Sequence, residues 1–511
     1  MDKEKFIRFL TLPLVIFLDI LGIVVAAYLI KLSNNFSTLV IAFIFLLLTI
    51  VASFFNTLGA FSYYDSYNYE REFKKIKLSN KKLKRYPKVA IVMPSYNEDP
   101  KMVKKNLLRL KKVDYPKNRL KIYLLDDSSN KDIVDELSRF AKENNIVYIH
   151  RENREGFKAG ALNNMLRYSK EEFIAIFDAD EYLSNLKFLK ELLPLFDDKS
   201  VAYVQTEKRY KNTRDIFSQS INLFNMFFFS FIEPSRASRN TSIFAGSCGI
   251  IRKEVLDKIG GFPTELVEDT FFSFKARING FKGIYVPKAY AYGEPIRTFM
   301  GFARQQWRYN YGDTKFLKHY ILNFKKIKKF IDYVDYFSLG FGINYLSVIL
   351  LLFSLLSIFI VFSPFPFEKI PLPFIFNPQY MKPELELYGI IALFVSFLAP
   401  IIVSRIYFKS FRYGIMVYLL NFSLAIIRTE AAIAALFNLN PRKGWVKDQS
   451  NNKVHRFVSA VRNARKEIAF SLLLFILSIL AISNDNIEGF SWLFIFAIFY
   501  STTFFFFYKY G

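Results

Sequence analysis

Long apolar runs at both ends of the chain enclose a middle section in which short apolar runs alternate with amphipathic ones. A helix that crosses a bilayer needs about 20 mostly apolar residues. Leu10–Ile30, Ser37–Ala60, Ser338–Phe362 and Leu387–Ser404 fit that demand, followed by the shorter Ile468–Ser483 and by Phe490–Tyr508. The first run is too long for a signal peptide and a second span follows closely, so it reads as a retained anchor. Tyr413–Phe437 is apolar but broken by Arg428 and Glu430. Asn438–Lys466 carries eight Lys/Arg against the single acid Asp448, which places it in the cytoplasm by the positive-inside rule. With the charged N-terminal end inside, that placement requires 413–437 to lie along the inner interface or to re-enter. The expectation is six spans with both termini and the insert between the second and third spans cytoplasmic. Asp19, in the middle of the first span, is expensive there; the bland reading is a carboxyl paired with a neighbouring helix, the sharper one a substrate contact.

Tyr63–Arg85 reads as a charged helical connector. Beyond it, Lys88–Met93, Leu120–Leu125, Ile146–His150 and Phe173–Phe177 are short β-branched runs. They alternate with helical spacing over 101–112, 131–144 and 160–168. That alternation predicts an α/β domain with a mostly parallel sheet. Ligands of such sheets sit beyond the carboxyl ends of the strands, here Pro94–Asp99, Asp126–Asn130 and Asp178–Glu181. The organisation expected is two transmembrane helices over 1–62, the α/β domain over 63–295, an amphipathic interfacial segment over 296–336, and a C-terminal membrane domain over 337–511. That last part would hold four spans, the interfacial segment near 413–437 and the basic loop 438–466.

The chain has 511 residues and a formal net charge of +25, which permits nucleic acid, anionic lipid or phosphorylated substrates as partners. The basic aromatic stretch 296–333 abuts a span, which disfavours nucleic acid. A lone cysteine, Cys248, excludes intrachain disulfides and multi-cysteine zinc sites. No GxxxxGK[ST] or GxGxxG motif is present, so ATPase and Rossmann dehydrogenase readings lack their phosphate loops.

Asp178-Ala179-Asp180 places two carboxylates on one side of an extended segment, where hard oxygen ligands suit Mg²⁺ or Mn²⁺; solvated acids at a strand end are the plainer alternative. Glu268-Asp269 before an apolar helix reads either as an acidic pair favouring the helix dipole or as a source of a general base. Gln305 and Arg308 share a helix face at i and i+3. Arg308 is suited to clamp a diphosphate, or the helix simply lies on anionic lipid.

In order, these segments resemble the processive family 2 glycosyltransferases, the cellulose and hyaluronan synthase-like group. The segments are Pro94–Glu98, Leu125–Ser129, Gly156–Asn163, Asp178–Asp180, Phe244–Cys248, Glu268-Asp269 and Gln305-x-x-Arg308-Tyr309. The resemblance implies a GT-A fold and a divalent cation, Mg or Mn. Asp180 would bind the metal with Asp178 beside it on the nucleotide sugar. Tyr96, Glu98 and Asp126 would hold the base, while Lys158, Gln305 and Arg308 would hold the diphosphate. Asp269, with Glu268, would deprotonate the acceptor, and Gly246, Ser247, Cys248 and Tyr309 would line its site. Tyr309 stands where the family has Trp. The basic loop resembles the family's gating loop in placement, with Trp445 and Lys447 but without a Thr-x-Lys pattern.

The function implied is inverting transfer from a nucleotide-diphosphate sugar, UDP-glucose first, to a growing β-linked glycan that passes through the enzyme's own spans. Accessory secretion subunits would be further partners, and the location is the plasma membrane. A non-processive transferase acting on a lipid carrier is the alternative. A non-catalytic transporter or scaffold is disfavoured because every carboxylate required is present.

Overall fold

The computed structural model describes residues 3–33, 35–76, 78, 83–362, 404–405, 409–439, 453–484 and 487–511. The expected span Leu387–Ser404, except its last residue, and residues 440–452 of the basic loop, with Trp445 and Lys447, lie outside these residues. The helices are α1 (Lys3–Leu32), α2 (Phe36–Lys75), α3 (Pro100–Leu110), α4 (Lys131–Glu143), α5 (Phe157–Leu166), α6 (Phe188–Leu192), α7 (Ile216–Phe227), α8 (Glu233–Ser238), α9 (Lys253–Ile259), α10 (Glu268–Ile278), α11 (Phe299–Leu322), α12 (Phe330–Phe362), α13 (Arg412–Leu436), α14 (Lys453–Asn463), α15 (Arg465–Ser483) and α16 (Ile487–Tyr510). Strands β1 (Val89–Ser95), β2 (Leu120–Asp126), β3 (Val147–His150), β4 (Phe173–Ile176), β5 (Tyr182–Leu183), β6 (Val201–Tyr210), β7 (Gly249–Arg252) and β8 (Lys282–Gly293) form one sheet in the order β3-β2-β1-β4-β7-β6-β8-β5.

β3, β2, β1 and β4 are parallel, as the alternation of strands and helices predicts. The other half is mixed: β7 runs antiparallel to both β4 and β6, β6 and β8 are parallel, and β5 is antiparallel to β8. Strand side chains alternate between two cores. Val89, Ile91 and Met93 of β1 face one, and Ala90 and Val92 face the other. Covering on both faces is why the parallel strands read as unbroken apolar runs rather than alternating ones.

α2 is a single 40-residue helix that runs beyond the expected second span, so the first half of the predicted connector is its continuation. Asn35 starts it through a reciprocal capping box with Thr38. Asp19 of α1 accepts hydrogen bonds from Thr57 Oγ1 (2.8 Å) and Asn56 Nδ2 (3.3 Å) of α2, the helix-pairing reading of that carboxyl. Among the described residues α2, α13, α15 and the Leu493–Tyr510 part of α16 are long and apolar enough to cross a membrane. α12 joins them if its two halves, bent by 62°, form one span, and the apolar part of α1, Phe9–Val24, is shorter. The 413–437 segment, expected at the interface, is thus also long and apolar enough to cross. Its apolar window is more buried by protein than that of the other three. It packs on α7 and α11 beside the sheet domain and on α12 and α16 among the apolar helices, where the two layers meet.

Ion pairs also join the layers. Arg239, just after α8, donates from Nε and Nη2 to the two oxygens of Asp335 in α12 (2.9 and 2.8 Å), and from Nη1 to Asp65 Oδ2 in α2 (2.9 Å). Arg236 adds a bond from Nη1 to the Asp335 carbonyl (2.7 Å). The Asp335 side chain is 1% exposed, so removing its partner strands a buried charge. Arg239→Ala is expected to destabilise the folded protein by about 3–5 kcal/mol, measured as a lowered thermal unfolding midpoint in detergent. An unchanged midpoint would show that the network does not hold the layers together.

Candidate active site

The site is built where β1, β2 and β4 end and β7 begins. Asn97, after β1, takes a left-handed backbone (φ 51°). Its N–H donates to Ser128 Oγ (2.8 Å), and its Oδ1 accepts from the N–H groups of Ser129 (3.0 Å) and Asn130 (3.2 Å). This clamp locks the β1 turn onto the β2 turn and leaves Tyr96 and Glu98 facing out. Asp126, expected to meet a nucleobase, is fully buried. Its carboxylate already accepts from Ser128 N–H (3.0 Å), Ser128 Oγ (2.5 Å) and Tyr148 OH (2.7 Å). In this structure it shapes the turn from beneath. The neighbouring Asp127 pairs with both Nε and Nη2 of Arg151 (2.8 and 2.5 Å). Arg151 also holds the carbonyls of Glu155 and Phe157, both at 3.0 Å, fixing the loop that delivers Lys158. Gly160 is required in the first turn of α5, since a Cβ there would sit 1.9 Å from the Glu155 carbonyl oxygen.

Lys158 Nζ donates to Asp178 Oδ1 (2.5 Å) and to the Gly246 carbonyl (3.0 Å). From β6, Lys208 Nζ lies 3.5 Å from Glu181 Oε1 and 3.9 Å from Asp178 Oδ2. Ser247 Oγ sits between the same two carboxylates, at 2.8 Å and 2.7 Å. Residues 178–181 form a turn closed by Asp178 N–H on Glu181 Oε2 (2.9 Å) rather than the extended segment expected, so the two aspartates do not act alike. Burial alone would raise Asp178, but Lys158 and Lys208 hold it well below the usual carboxylate range. Burial, then Glu181 and Asp178, push Asp180 up to about 7. Burial would lower Lys158, yet Asp178 and Glu268 outweigh it and keep it firmly charged.

Glu268 and Asp269 occupy the first turn of α10. Burial and then Asp269 push Glu268 up to about 7, and burial raises Asp269 as well. Asp269 Oδ1 accepts from Thr270 N–H (2.8 Å), while Oδ2 faces Gly246. A Cβ on that glycine, whose φ is +82°, would lie 3.1 Å from Oδ2. Arg308 of α11 is electrostatically coupled to both acids while keeping solvent access, as a side chain lining an open cleft does. Tyr309 lies beside its guanidinium, 5.4 Å from the ring centroid.

Cys248 is 3% exposed and packs in the core, with its thiol hydrogen-bonded to Glu181 beneath the cleft. Gln305 is half-buried, and it is the next residue that is engaged. Gln306 Oε1 accepts from Arg428 Nη2 of α13 (2.6 Å), and Arg428 Nη1 reaches Asn421 Oδ1 (2.9 Å) and Ser347 Oγ of α12 (3.3 Å). Lys208 and Arg151 join this charge network although the sequence reading did not single them out, whereas Glu181 lies in the Asp178–Glu181 turn that it named. Arg154, two residues before the Gly156–Asn163 motif, was likewise not singled out.

Residues 90–260 match the model of Glycosyl transferase family 2. That segment is similar to family 2 glycosyltransferases, and the curated relatives it matches include cellulose synthases. The chain is 30% identical over 235 residues to the UDP-forming cellulose synthase catalytic subunit of Pseudomonas fluorescens, covering 44% of this chain and 31% of that protein. It spans a third or less of the first curated relatives it matches, at 31%, 22% and 31% of their lengths. The glucomannan 4-beta-mannosyltransferase 1 of Cyamopsis tetragonoloba is 27% identical over 395 residues, covering 75% of this chain and 71% of the relative. Among solved structures, the mannosyltransferase PcManGT from Pyrobaculum calidifontis, in complex with GDP-Man and Mn2+, matches at 18% identity with a TM-score of 0.44. That match covers 76% of this chain and 99% of that one. The mixed sheet, with its parallel half and helices on both faces, is GT-A-like, as expected.

The glycosyltransferase motifs converge on one charge cluster, with Lys208 as its second cation. Lys208→Met leaves Asp178 and Glu181 short of a counter-charge and is expected to weaken nucleotide-sugar binding by about tenfold or more. Isothermal titration checks this, and undiminished affinity would remove Lys208 from the site.

Proposed function

We propose that this protein is a membrane-embedded inverting glycosyltransferase that uses UDP-glucose to elongate a β-linked glycan and moves the product across the membrane. The observation that carries the reading is the convergence of Lys158, Asp178, Asp180, Asp269 and Arg308 on one cleft beside the apolar helices. Donor and product class are supported by the cellulose synthase relatives. A second reading, with GDP-mannose as donor, is favoured by the glucomannan mannosyltransferase match, which covers most of both chains.

The residues present fit a divalent cation. Asp180 is driven up by burial and then by three neighbouring carboxylates, Glu181, Asp178 and Glu98, and a cation would relieve the repulsive part. Among the described residues no three His, Cys, Asp or Glu side chains form a ready-made cage, which suits Mg²⁺ or Mn²⁺ completing its shell with phosphate oxygens and water. Asp180 would hold the ion with Asp178 beside it, and the ion would supply charge stabilisation to the departing diphosphate.

In this reading Asp269 Oδ2 takes the proton of an acceptor hydroxyl. The hydroxyl oxygen bonds to the anomeric carbon as the bond to the β-phosphate oxygen breaks. The electron pair leaves on the nucleotide diphosphate, which Lys158 and Arg308 stabilise. Attack from the face opposite the leaving group gives a β-linkage from an α-linked donor. Tyr309 would stack on the acceptor, and Gly246, having no side chain, leaves room for it. The catalytic domain, both termini and the basic loop would face the cytoplasm at the plasma membrane.

Asp269→Asn is expected to lower turnover by about 10²–10⁴-fold while nucleotide-sugar binding persists; retained turnover would overturn the base assignment. A base must be ionised to act, and Asp269 and Glu268 are both raised. The kcat/KM of the wild type should therefore fall as pH drops from about 8 to 5, and a flat profile would contradict it. Incubating purified protein with Mn²⁺ or Mg²⁺ and a panel of labelled nucleotide sugars tests the whole reading. High-molecular-weight, glycosidase-sensitive product from one donor supports a synthase and names its sugar. A short lipid-extractable product would instead assign the lipid-carrier alternative.

A further inference from the structure

One cationic side chain at the mouth of the cleft has no task in the chemistry above. The guanidinium of Arg154 lies over the ring of Tyr96, 3.2 Å from its centroid, with the Phe157 ring 5.5 Å away. Both rings face outward, 38% and 52% exposed. The neighbouring arginine, Arg151, is consumed by Asp127 and two carbonyls. Arg154 Nε, by contrast, is buried and has no hydrogen-bond partner. A buried donor left unsatisfied is costly, and an arginine presents its donors as a flat fork. Stacking on Tyr96 fixes the plane of that fork, and the side chain as a whole remains partly exposed. A planar fork held by an aromatic face and lacking an acceptor is the geometry that reads a ring carbonyl edge-on.

The position agrees with the chemistry. Tyr96 follows β1 beside the Asn97 clamp, and Phe157 adjoins Lys158, whose Nζ marks the diphosphate end of the proposed donor site. A base extending from that diphosphate toward the β1–β2 edge would therefore present its edge to Arg154.

Resting on the proposed glycosyltransferase reading, we infer that Arg154 selects the donor by its nucleobase. Its fork donates to the ring carbonyl carried by uracil and guanine and missing at the matching position of adenine and cytosine. Uracil and guanine share this chemistry, and guanine adds a second acceptor beside the carbonyl. The residue is a specificity determinant and takes no part in the displacement.

The test compares the full-length protein with Arg154→Ala in detergent, titrated with UDP, GDP, ADP and CDP in the presence of Mn²⁺. The wild type is expected to bind UDP or GDP at least about tenfold more tightly than ADP and CDP. Arg154→Ala is expected to lose that margin while holding ADP and CDP as the wild type does. Persistence of weak ADP binding shows that the variant is folded, and whichever of UDP and GDP loses more is the base that Arg154 reads. Unchanged discrimination in Arg154→Ala would overturn the inference and leave the glycosyltransferase reading standing, as would an equal loss for all four nucleotides. A wild type that binds none of the four would overturn both.

Discussion

Asp178 is the charge around which the cleft is organised. It ends a central strand, and cations reach it from both halves of the sheet, Lys158 from the parallel side and Lys208 from the mixed side. Removing any of these groups from water costs several kcal/mol unless a partner replaces the solvent. The lysines and carboxylates are therefore placed by one another as much as by their backbones. The balance is uneven. Asp178 and Glu181 have cations close at hand, whereas at Asp180 and Glu268 burial and neighbouring carboxylates outweigh the nearby cations and push both up to about 7. An apo cleft of this kind stores electrostatic repulsion that a bound cation or an incoming substrate relieves.

The same logic fixes the sheet domain against the apolar helices. Arg239 bridges α2 and α12 through two aspartates, and Tyr69 of α2 donates to the Tyr285 carbonyl of β8 at 2.6 Å. Apolar contacts between layers tolerate sliding, whereas buried ion pairs are satisfied in one geometry. The long extension of α2 beyond its apolar part is thus a strut hydrogen-bonded to the sheet.

The strand–helix alternation up to β4 was legible because each element is short, apolar and bounded by turn residues. The acids at the strand ends were legible for the same reason, being adjacent in the chain to the runs that position them. Asp19 was legible as a helix-pairing group because a lone carboxyl in a span has few other partners. What escaped was whatever depends on distant pairing. Lys208 sits in a polar strand end with no local mark, and its role exists only because β6 comes to lie two places from β4. Asp126 looked available in sequence, but Tyr148, twenty-two residues on, already occupies it. Cys248 shares a motif with Ser247, yet both are buried, and with its left-handed backbone (φ 56°) Cys248 packs in the core and meets Glu181 rather than lining an acceptor site. The antiparallel half was missed because its strands are separated by long helical stretches, including the continuous run from α7 through the 228–232 π-helix to α8.

α11 shows how the two layers act on one another. Successive helical residues are turned by roughly 100°, so Gln306 and Arg308 point roughly 200° apart, to opposite sides of the same helix. Gln306 is held by Arg428, a 2% exposed cation on α13 whose side-chain bonds run to neutral groups on α11, α12 and α13 itself. A rotation that freed Gln306 would leave a buried guanidinium short of an acceptor and would swing Arg308 away from Glu268 and Asp269. The buried bond on the membrane side therefore sets the angle at which the cleft-side arginine is presented. A shift of α13 relative to α12 therefore reaches the Arg308 side of the cleft through this glutamine as well as through the packing of Trp307 and Tyr311 on Ala431 and Ala435.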